Sequence, residues 1–130
     1  GGEGKTIWGK RAGWVHYYGT IEGKEAGIAF FSHPSNLAKK GEKSWWHARD
    51  YGLISANPFA PTKLGGDGKH TIKKGQSLKL RYRFVFHSGS KKDARIEERF
   101  ADYAKDPGYP TSIMPPHPGY PEDYLSEKKK

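Results

Sequence analysis

Side chains able to do chemistry are concentrated in one short stretch of this sequence. It contains His33, His47, Arg49 and Asp50, together with the indole of Trp46. Histidine can transfer protons near neutral pH, and arginine can clamp a carboxylate or the hydroxyl groups of a sugar. An indole offers a flat apolar surface on which a sugar ring can stack. The stretch therefore predicts a polar site in which the first four residues are catalytic and Trp46 binds substrate.

The same residues also have purely structural uses. His33 can cap a turn before Pro34, and Arg49 and Asp50 can pair with neighbouring groups or order loops. Asn36, whose amide lies just beyond the apolar run 26–31, is assigned to substrate binding with Trp46. The residue types leave the catalytic and the structural alternatives open.

Three further candidates for substrate binding lie later in the chain. Arg81, Arg83 and His87 occupy odd positions of a segment that alternates with period two, so they share one face of a strand. If that face is concave, it lines a groove suited to an anionic or polyhydroxyl ligand. If it is an outer face, the three side chains are simply solvated.

A metal site has little support from spacing. The six histidines are widely separated in sequence, without an HxH or HExxH pair, and there is no cysteine. A site assembled in space from three of them stays open as an alternative, but the sequence predicts neither a metal nor another cofactor. The absence of cysteine also excludes disulfides and thiol catalysis.

Charge and hydropathy narrow the range of partners. The formal net charge is +9, but the lysines and arginines are scattered over turns and the C-terminal end rather than gathered on one helix. This pattern disfavours nucleic acid as the partner. The longest apolar run, 26–31, is far shorter than the roughly 20 residues that span a bilayer. We therefore expect a carbohydrate or another polar small molecule as ligand and no membrane partner.

The elements that must position these residues are mostly strands. The chain has 130 residues, and its 17 glycines and 9 prolines break it into short segments typical of hairpins. Segments 14–18 and 26–31 predict a hairpin with its turn at 22–24, and 51–56 predicts a further strand. Segment 77–87 alternates most clearly, and its apolar positions predict one buried face. The members of that face are Leu78, Leu80, Tyr82, Phe84 and Phe86.

One helix and one tail complete the predicted organisation. Ser90 and Asp93 match a capping box, and helical spacing of apolar residues predicts a helix over about 91–105. Residues 107–130 are rich in proline, glycine and tyrosine, which indicates an extended tail. The expected fold is a mostly β domain over residues 1–106, an antiparallel β-sandwich with one C-terminal helix.

Five segments together resemble a known family. They are 8–14 (WGKRAGW), 27–36 (GIAFFSHPSN), 46–52 (WHARDYG), 57–59 (NPF) and 80–83 (LRYR). In this order they resemble the PmoA-like proteins, which are often labelled "methane oxygenase PmoA" and occur in bacteria rich in carbohydrate-degradation genes. The resemblance extends from residue 8 to about 104 and corresponds to the C-terminal half of the family's typical chain.

The resemblance implies several further expectations. It implies a β-sandwich related to the supersandwich of sugar mutarotases and polysaccharide lyases, of which this chain would be half, and a periplasmic or extracellular setting. Half a sandwich has open sheet edges, so a homo-oligomer or a missing N-terminal half would cover them. Ser32 stands where the family usually carries Asp, which makes binding a better expectation than catalysis.

Three functions are thus expected in order of preference. Carbohydrate binding or processing through the polar site comes first, and whether the chain is an enzyme is left open. A non-enzymatic binding or assembly module is the first alternative. A metal-dependent oxygenase, as the family label suggests, is the second.

Overall fold

Two antiparallel three-stranded sheets and one helix carry the candidate residues. A computed structural model describes residues 3–36, 43–59, 62–64 and 68–105. The elements in chain order are β1 (Arg11–Ala12), β2 (Trp14–Ile21), β3 (Lys24–Ser32), β4 (Ser44–Ala48), β5 (Ile54–Asn57), β6 (Tyr82–Ser88) and α1 (Ile96–Lys105). Short 3-10 turns occupy Gly4–Ile7 and Thr62–Leu64. The mostly β sandwich-like fold with one C-terminal helix is confirmed, whereas the predicted tail, 107–130, lies outside the described residues.

The first sheet has the strand order β2-β3-β6 and grows from the predicted hairpin. In that hairpin Ile21 pairs with Lys24, so only Glu22 and Gly23 form the turn. Both have positive φ, 51° and 76°, which is the backbone of a type I′ turn and matches the twist of the strands. The prediction of this hairpin is therefore confirmed.

The second sheet has the strand order β1-β4-β5. Neither its central strand, β4, nor the two-residue β1 was predicted from the sequence. In β4, two adjacent tryptophans and a histidine obscured the alternation. Ser44, Trp46 and Ala48 are buried, whereas Trp45 and His47 between them are half-buried. The alternation shows that β4 has one face in the core and one face towards solvent.

The β2-β3-β6 sheet lies between two apolar clusters. On one side Ala29 and Phe31 pack with Ile96 and Tyr103, which places α1 on this side of the sheet. On the other side, the second cluster joins the two sheets through a different set of side chains. Its buried members are Val15, Trp46 and Ala48, and Phe30 packs against them. The arrangement is thus helix, sheet and sheet in succession.

The buried face of β6 is the opposite of the predicted one. Phe84 and Phe86 are 54% and 76% exposed, whereas Val85 packs into the cluster beneath α1. The strand begins at Tyr82 rather than at residue 77. Alternation shows that the two faces of a strand differ, but the position of α1 decides which face is covered. The prediction that Phe84 and Phe86 are buried was wrong.

The helix begins five residues later than predicted. The Ser90 hydroxyl accepts a hydrogen bond from the amide of Asp93 at 3.2 Å, as in a capping box. This bond closes a turn that precedes the helix, and Arg95 then adopts a positive φ of 48°. Regular helix starts only at Ile96, because a left-handed residue cannot continue an α-helix. Within the described residues, no helix has the length and apolar character needed to cross a membrane.

Candidate functional site

His47 and Arg49 lie on the outer face of the β1-β4-β5 sheet, together with residues that the sequence prediction did not include. His47 pairs with Ser55 of β5, and Trp45 pairs with Asn57, so these four side chains share the face that points away from the core. Arg49 continues the same alternation just beyond the end of β4. Its backbone N–H donates to the carbonyl of Leu53, which holds the strand end in place.

Trp8 is the aromatic centre of one half of this face. The guanidinium carbon of Arg49 lies 4.7 Å from the centroid of the Trp8 ring, and Lys63 Nζ lies 5.6 Å from it. The ring of His47 meets the same indole edge-on at 6.4 Å. A cation over an indole contributes about 0.5–1 kcal/mol at exposed sites, so these contacts help to orient the two cations.

Trp45 is the aromatic centre of the other half. The guanidinium carbon of Arg11 lies 4.4 Å from the centroid of its ring, and Arg11 also donates to the carbonyl of Lys43 at 3.1 Å. Both halves therefore combine an indole with an arginine on one exposed sheet face. We call this surface the outer aromatic face. Its members are Trp8, Arg11, Trp45, His47, Arg49, Ser55, Asn57 and Lys63.

Trp46, predicted to stack on a substrate, points the other way. It is only 2% exposed, and its indole N–H donates to the carbonyl of Ala12 at 2.8 Å. Its ring packs edge-on against Phe30, with the centroids 5.2 Å apart. The indole that solvent reaches on β4 is that of Trp45, one residue earlier, because successive side chains of a strand point to opposite faces.

His33 lies with Arg81 rather than with His47. Its Nε2 is 3.1 Å from Arg81 Nη1, and its Nδ1 is 2.7 Å from the hydroxyl of Ser35. Nδ1 also accepts a hydrogen bond from the backbone N–H of Ser35 at 3.1 Å. The ring is buried against Tyr103 of α1, edge-on at 5.2 Å, and the Arg83 guanidinium carbon lies 4.5 Å from the Tyr103 ring centroid.

Asn36 forms a buried clamp on the backbone of Arg81. Its Oδ1 accepts from the Arg81 N–H at 2.7 Å, and its Nδ2 donates to the Arg81 carbonyl at 2.6 Å. Nδ2 also donates to the hydroxyl of Ser32 at 3.0 Å, and Ser32 Oγ lies 2.7 Å from Ser44 Oγ. Ser32 therefore links β3 to β4 through buried hydroxyl groups.

The predicted site residues thus fall into separate places. His33, Asn36, Arg81 and Arg83 lie at the junction of β3, β6 and α1. His47 and Arg49 lie on the outer aromatic face, and Asp50 is exposed in the turn that follows β4. The prediction missed Trp8, Arg11, Trp45 and Lys63, although the first three occur in or beside the segments that carry the family resemblance. Their partnership follows from strand pairing, which spacing along the chain does not show. The catalytic and binding roles of all these residues stay predictions.

His87 lies at the far end of the β2-β3-β6 sheet, where it meets His16. The two Nε2 atoms are 2.7 Å apart. Tyr18 and Lys91 lie beside the pair, with the His16 and Tyr18 ring centroids 5.1 Å apart. Burial lowers the pKa of His16 below its ordinary value, and the positive charges that His87 and Lys91 carry or acquire lower it further.

This lowered pKa predicts a pH dependence of stability. Because the folded-state pKa of His16 lies below that of the unfolded chain, about 6.5, the unfolded chain binds the proton more readily. The contribution of neutral His16 to the free energy of unfolding is complete above pH 6.5 and is lost as the pH falls through the folded-state pKa. We expect the free energy of unfolding, measured by urea denaturation, to fall between pH 7.5 and 5, and to fall less steeply in His16→Gln. If the free energy of unfolding fell equally steeply with pH in both proteins, the pH dependence could not be assigned to His16.

A shallow groove lies on the open side of the β2-β3-β6 sheet, among Ile21, Ile28 and Phe86, and His87 borders it. Within the described residues, no three or more His, Cys, Asp or Glu side chains come together in an arrangement that could hold a metal.

Comparison with known proteins yields a family but no activity. No curated protein and no solved structure matches the chain. The model of a family of unknown function, DUF6807, matches residues 1–101 of the 130. This family match does not carry the PmoA label, an oxygenase activity or a carbohydrate ligand. Since this match covers most of the sequence, the chain belongs to the DUF6807 family.

Proposed function

We propose that the chain binds an acidic carbohydrate on the outer aromatic face. The observation that carries the proposal is the pairing of two solvent-facing indoles with two arginines on one sheet, Arg11 at 4.4 Å from Trp45 and Arg49 at 4.7 Å from Trp8. An indole stacks on the apolar face of a sugar ring, and a guanidinium can bind a carboxylate through two hydrogen bonds.

The neighbouring side chains suit the same ligand. Ser55 and Asn57 stand opposite His47 and Trp45, and they bring a hydroxyl and an amide to the surface for sugar hydroxyl groups. The charged members of the outer aromatic face, Arg11, Arg49 and Lys63, are all cationic. An acidic sugar such as a uronate therefore fits better than a neutral one.

The proposal is one of binding rather than turnover. His33 lies with Arg81 and Tyr103, whereas His47 and Arg49 surround Trp8, so the four residues predicted to be catalytic do not form one centre. General acid–base catalysis requires the participating groups to reach the same substrate atoms. Binding does not require the groups to reach the same atoms, because several separate contacts on a flat face are sufficient to hold a sugar.

The test measures binding of the full chain to polygalacturonate, to neutral dextran and to single-stranded DNA by isothermal titration calorimetry. We expect the uronate polymer to bind and dextran not to bind. Trp45→Ala and Arg49→Gln should each weaken uronate binding at least about tenfold, since buried aromatic and arginine contacts dominate interface energies. Lys24→Gln, which removes a cation at the distant hairpin turn, should leave the affinity within about twofold.

Two outcomes would overturn the proposal. If Lys24→Gln and Arg49→Gln lost the same amount of affinity for polygalacturonate, the chain would attract any polyanion through its net charge of +9. DNA binding as tight as uronate binding, with the same dependence on Trp45, would make single-stranded nucleic acid the ligand, because bases also stack on indoles.

We also infer that the PmoA-like proteins and the DUF6807 family are one group. The resemblance to the former covers residues 8 to about 104, and the match to the latter covers residues 1–101. Aligning PmoA-like sequences with the DUF6807 model checks this, and alignment outside those residues would contradict it.

A further inference from the structure

Two histidines from non-adjacent strands meet above the central strand of the β2-β3-β6 sheet. His16 belongs to β2 and His87 to β6, and β3 runs between them. Their Nε2 atoms lie 2.7 Å apart, and the ring centroids are 4.9 Å apart. Both residues are half-buried. This pair lies on the side of the first sheet that faces away from the β1-β4-β5 sheet, and is independent of the proposed carbohydrate face.

Gly27 makes this convergence sterically feasible. It lies in β3, paired with Tyr18 on one side and with His87 on the other. A Cβ atom at this position would stand 2.5 Å from His87 Nε2 and 2.8 Å from His16 Nε2. Both distances are shorter than non-bonded contact allows, so any other residue here would push the two nitrogens apart.

The hydrogen bonding of the pair leaves one nitrogen lone pair already directed inwards. A hydrogen bond from His87 Nδ1–H to the Ser88 carbonyl, which lies 3.4 Å away and can only accept, would leave His87 Nε2 as the acceptor of the pair. His87 Nε2 then accepts from His16 Nε2–H. If the His16 proton moves to its own Nδ1, both Nε2 lone pairs point at the same spot, and no net proton is released.

We propose that His16 and His87 together bind one divalent ion of the late first-row transition metals, such as Cu²⁺, Ni²⁺ or Zn²⁺. Neutral imidazole is a preferred ligand of these ions. Bonds of about 2.0–2.1 Å at an angle between about 90° and 110° place the two nitrogens roughly 2.9–3.4 Å apart. The observed 2.7 Å needs to widen by less than about 1 Å, which small side-chain rotations supply.

The electrostatic surroundings tolerate a cation. The nearest ammonium group, Lys91 Nζ, lies 2.5 Å from the carboxylate of Glu3 and 3.3 Å from the hydroxyl of Tyr18. The carboxylate offsets the ammonium charge that would otherwise repel the metal. Since the structure brings only two imidazoles together here, water or a small ligand completes the coordination, as in an open metal site.

The test uses the full chain, purified without a polyhistidine tag and freed of metal with a chelator. Titration with Cu²⁺, Ni²⁺ and Zn²⁺, followed by calorimetry, should show one equivalent bound, with Cu²⁺ tightest by the Irving–Williams order. His16→Gln and His87→Gln should each weaken binding at least about tenfold, because each removes one of two ligands. His70→Gln, which alters an exposed histidine outside the pair, should change nothing.

Gly27→Ala separates metal binding from the mere presence of histidines. It keeps both imidazoles but places a methyl group 2.5 Å and 2.8 Å from the two Nε2 atoms and 2.7 Å from the Tyr17 carbonyl oxygen, which displaces both rings from the arrangement that would hold one ion. It should therefore weaken the metal affinity as much as the loss of one histidine, while circular dichroism verifies that the variant is folded. If Gly27→Ala unfolds the chain, the metal affinities of His16→Gln and His87→Gln test whether both histidines bind the ion. Metal affinity unchanged in both, or no stoichiometric binding by the natural chain, would overturn the proposal and leave a hydrogen-bonded pair.

Discussion

Trp46→Ala is expected to lower the free energy of unfolding by about 3–5 kcal/mol, the range for truncating a large buried aromatic side chain. The indole is 2% exposed and packs with Val15, Ala48 and Phe30, so its removal leaves a cavity between the two sheets. It also leaves the Ala12 carbonyl without the indole N–H that now donates to it at 2.8 Å. Against a typical total of about 5–15 kcal/mol, this loss is large enough to leave part of the chain unfolded.

The neighbouring residue supplies the matched control. Trp45 has the same side chain but faces solvent, where it contacts Arg11. Trp45→Ala should cost less than Trp46→Ala, because the half-buried indole gives up a cation–π contact of about 0.5–1 kcal/mol and part of its packing but leaves no cavity between the sheets. Urea denaturation followed by circular dichroism measures both without relying on the deleted fluorophores. Equal losses in the two variants would contradict the assignment of Trp46 to the core and Trp45 to the surface.

Asn36→Asp is expected to cost about 3 kcal/mol or more at neutral pH, the range for leaving a buried charge unpaired. Asn36 is 1% exposed, and its Nδ2 donates to two oxygens, the Arg81 carbonyl at 2.6 Å and Ser32 Oγ at 3.0 Å. A carboxylate in this position cannot donate, and it would direct negative charge at the carbonyl oxygen. The loss should therefore be strongest when the new side chain is ionised.

This cost has a predictable dependence on pH. An unpaired, buried carboxyl group has a higher pKa in the folded chain than the value of about 3.9 in the unfolded chain. The folded state then binds the proton more readily, so the loss relative to the natural chain is smallest near pH 3.5 and grows as the pH rises. Urea denaturation of both proteins at matched pH values tests this. A loss that is the same at pH 4 and pH 7 would show that the Asn36 clamp acts through shape alone.

Part of the fold followed from local rules. The hairpin of β2 and β3 was predictable, because two β-favouring segments flank a turn whose glycine accepts positive φ. The helix was also predictable, but its start was not. The capping pair of Ser90 and Asp93 forms, yet Arg95 adopts a left-handed conformation that delays the helix to Ile96. Capping residues identify a turn, and the backbone that follows them decides whether a helix begins there.

The candidate site was predictable only in its residue types. The sequence indicated that histidine, arginine and tryptophan near β4 form a polar and aromatic surface, and the outer aromatic face contains His47 and Arg49. Spacing along the chain could not show that Trp8 joins them or that His33 joins Arg81 instead, because these are contacts between distant segments. The preference for Trp46 over Trp45 failed for the same reason, since both indoles suit stacking and only burial separates them.

The sequence by itself determined that this chain is mostly β, that its strands have two unlike faces, and that many of its candidate side chains are concentrated between residues 33 and 50. The first two are consequences of period-two alternation and turn chemistry, which act over a few residues. The tertiary structure decided which face of each strand is covered. On β6 it placed Val85 beneath α1 and left Phe86 exposed, and on β4 it buried Trp46 and left Trp45 half-buried on the opposite face. A strand offers both faces equally, and the layer that packs against it selects one.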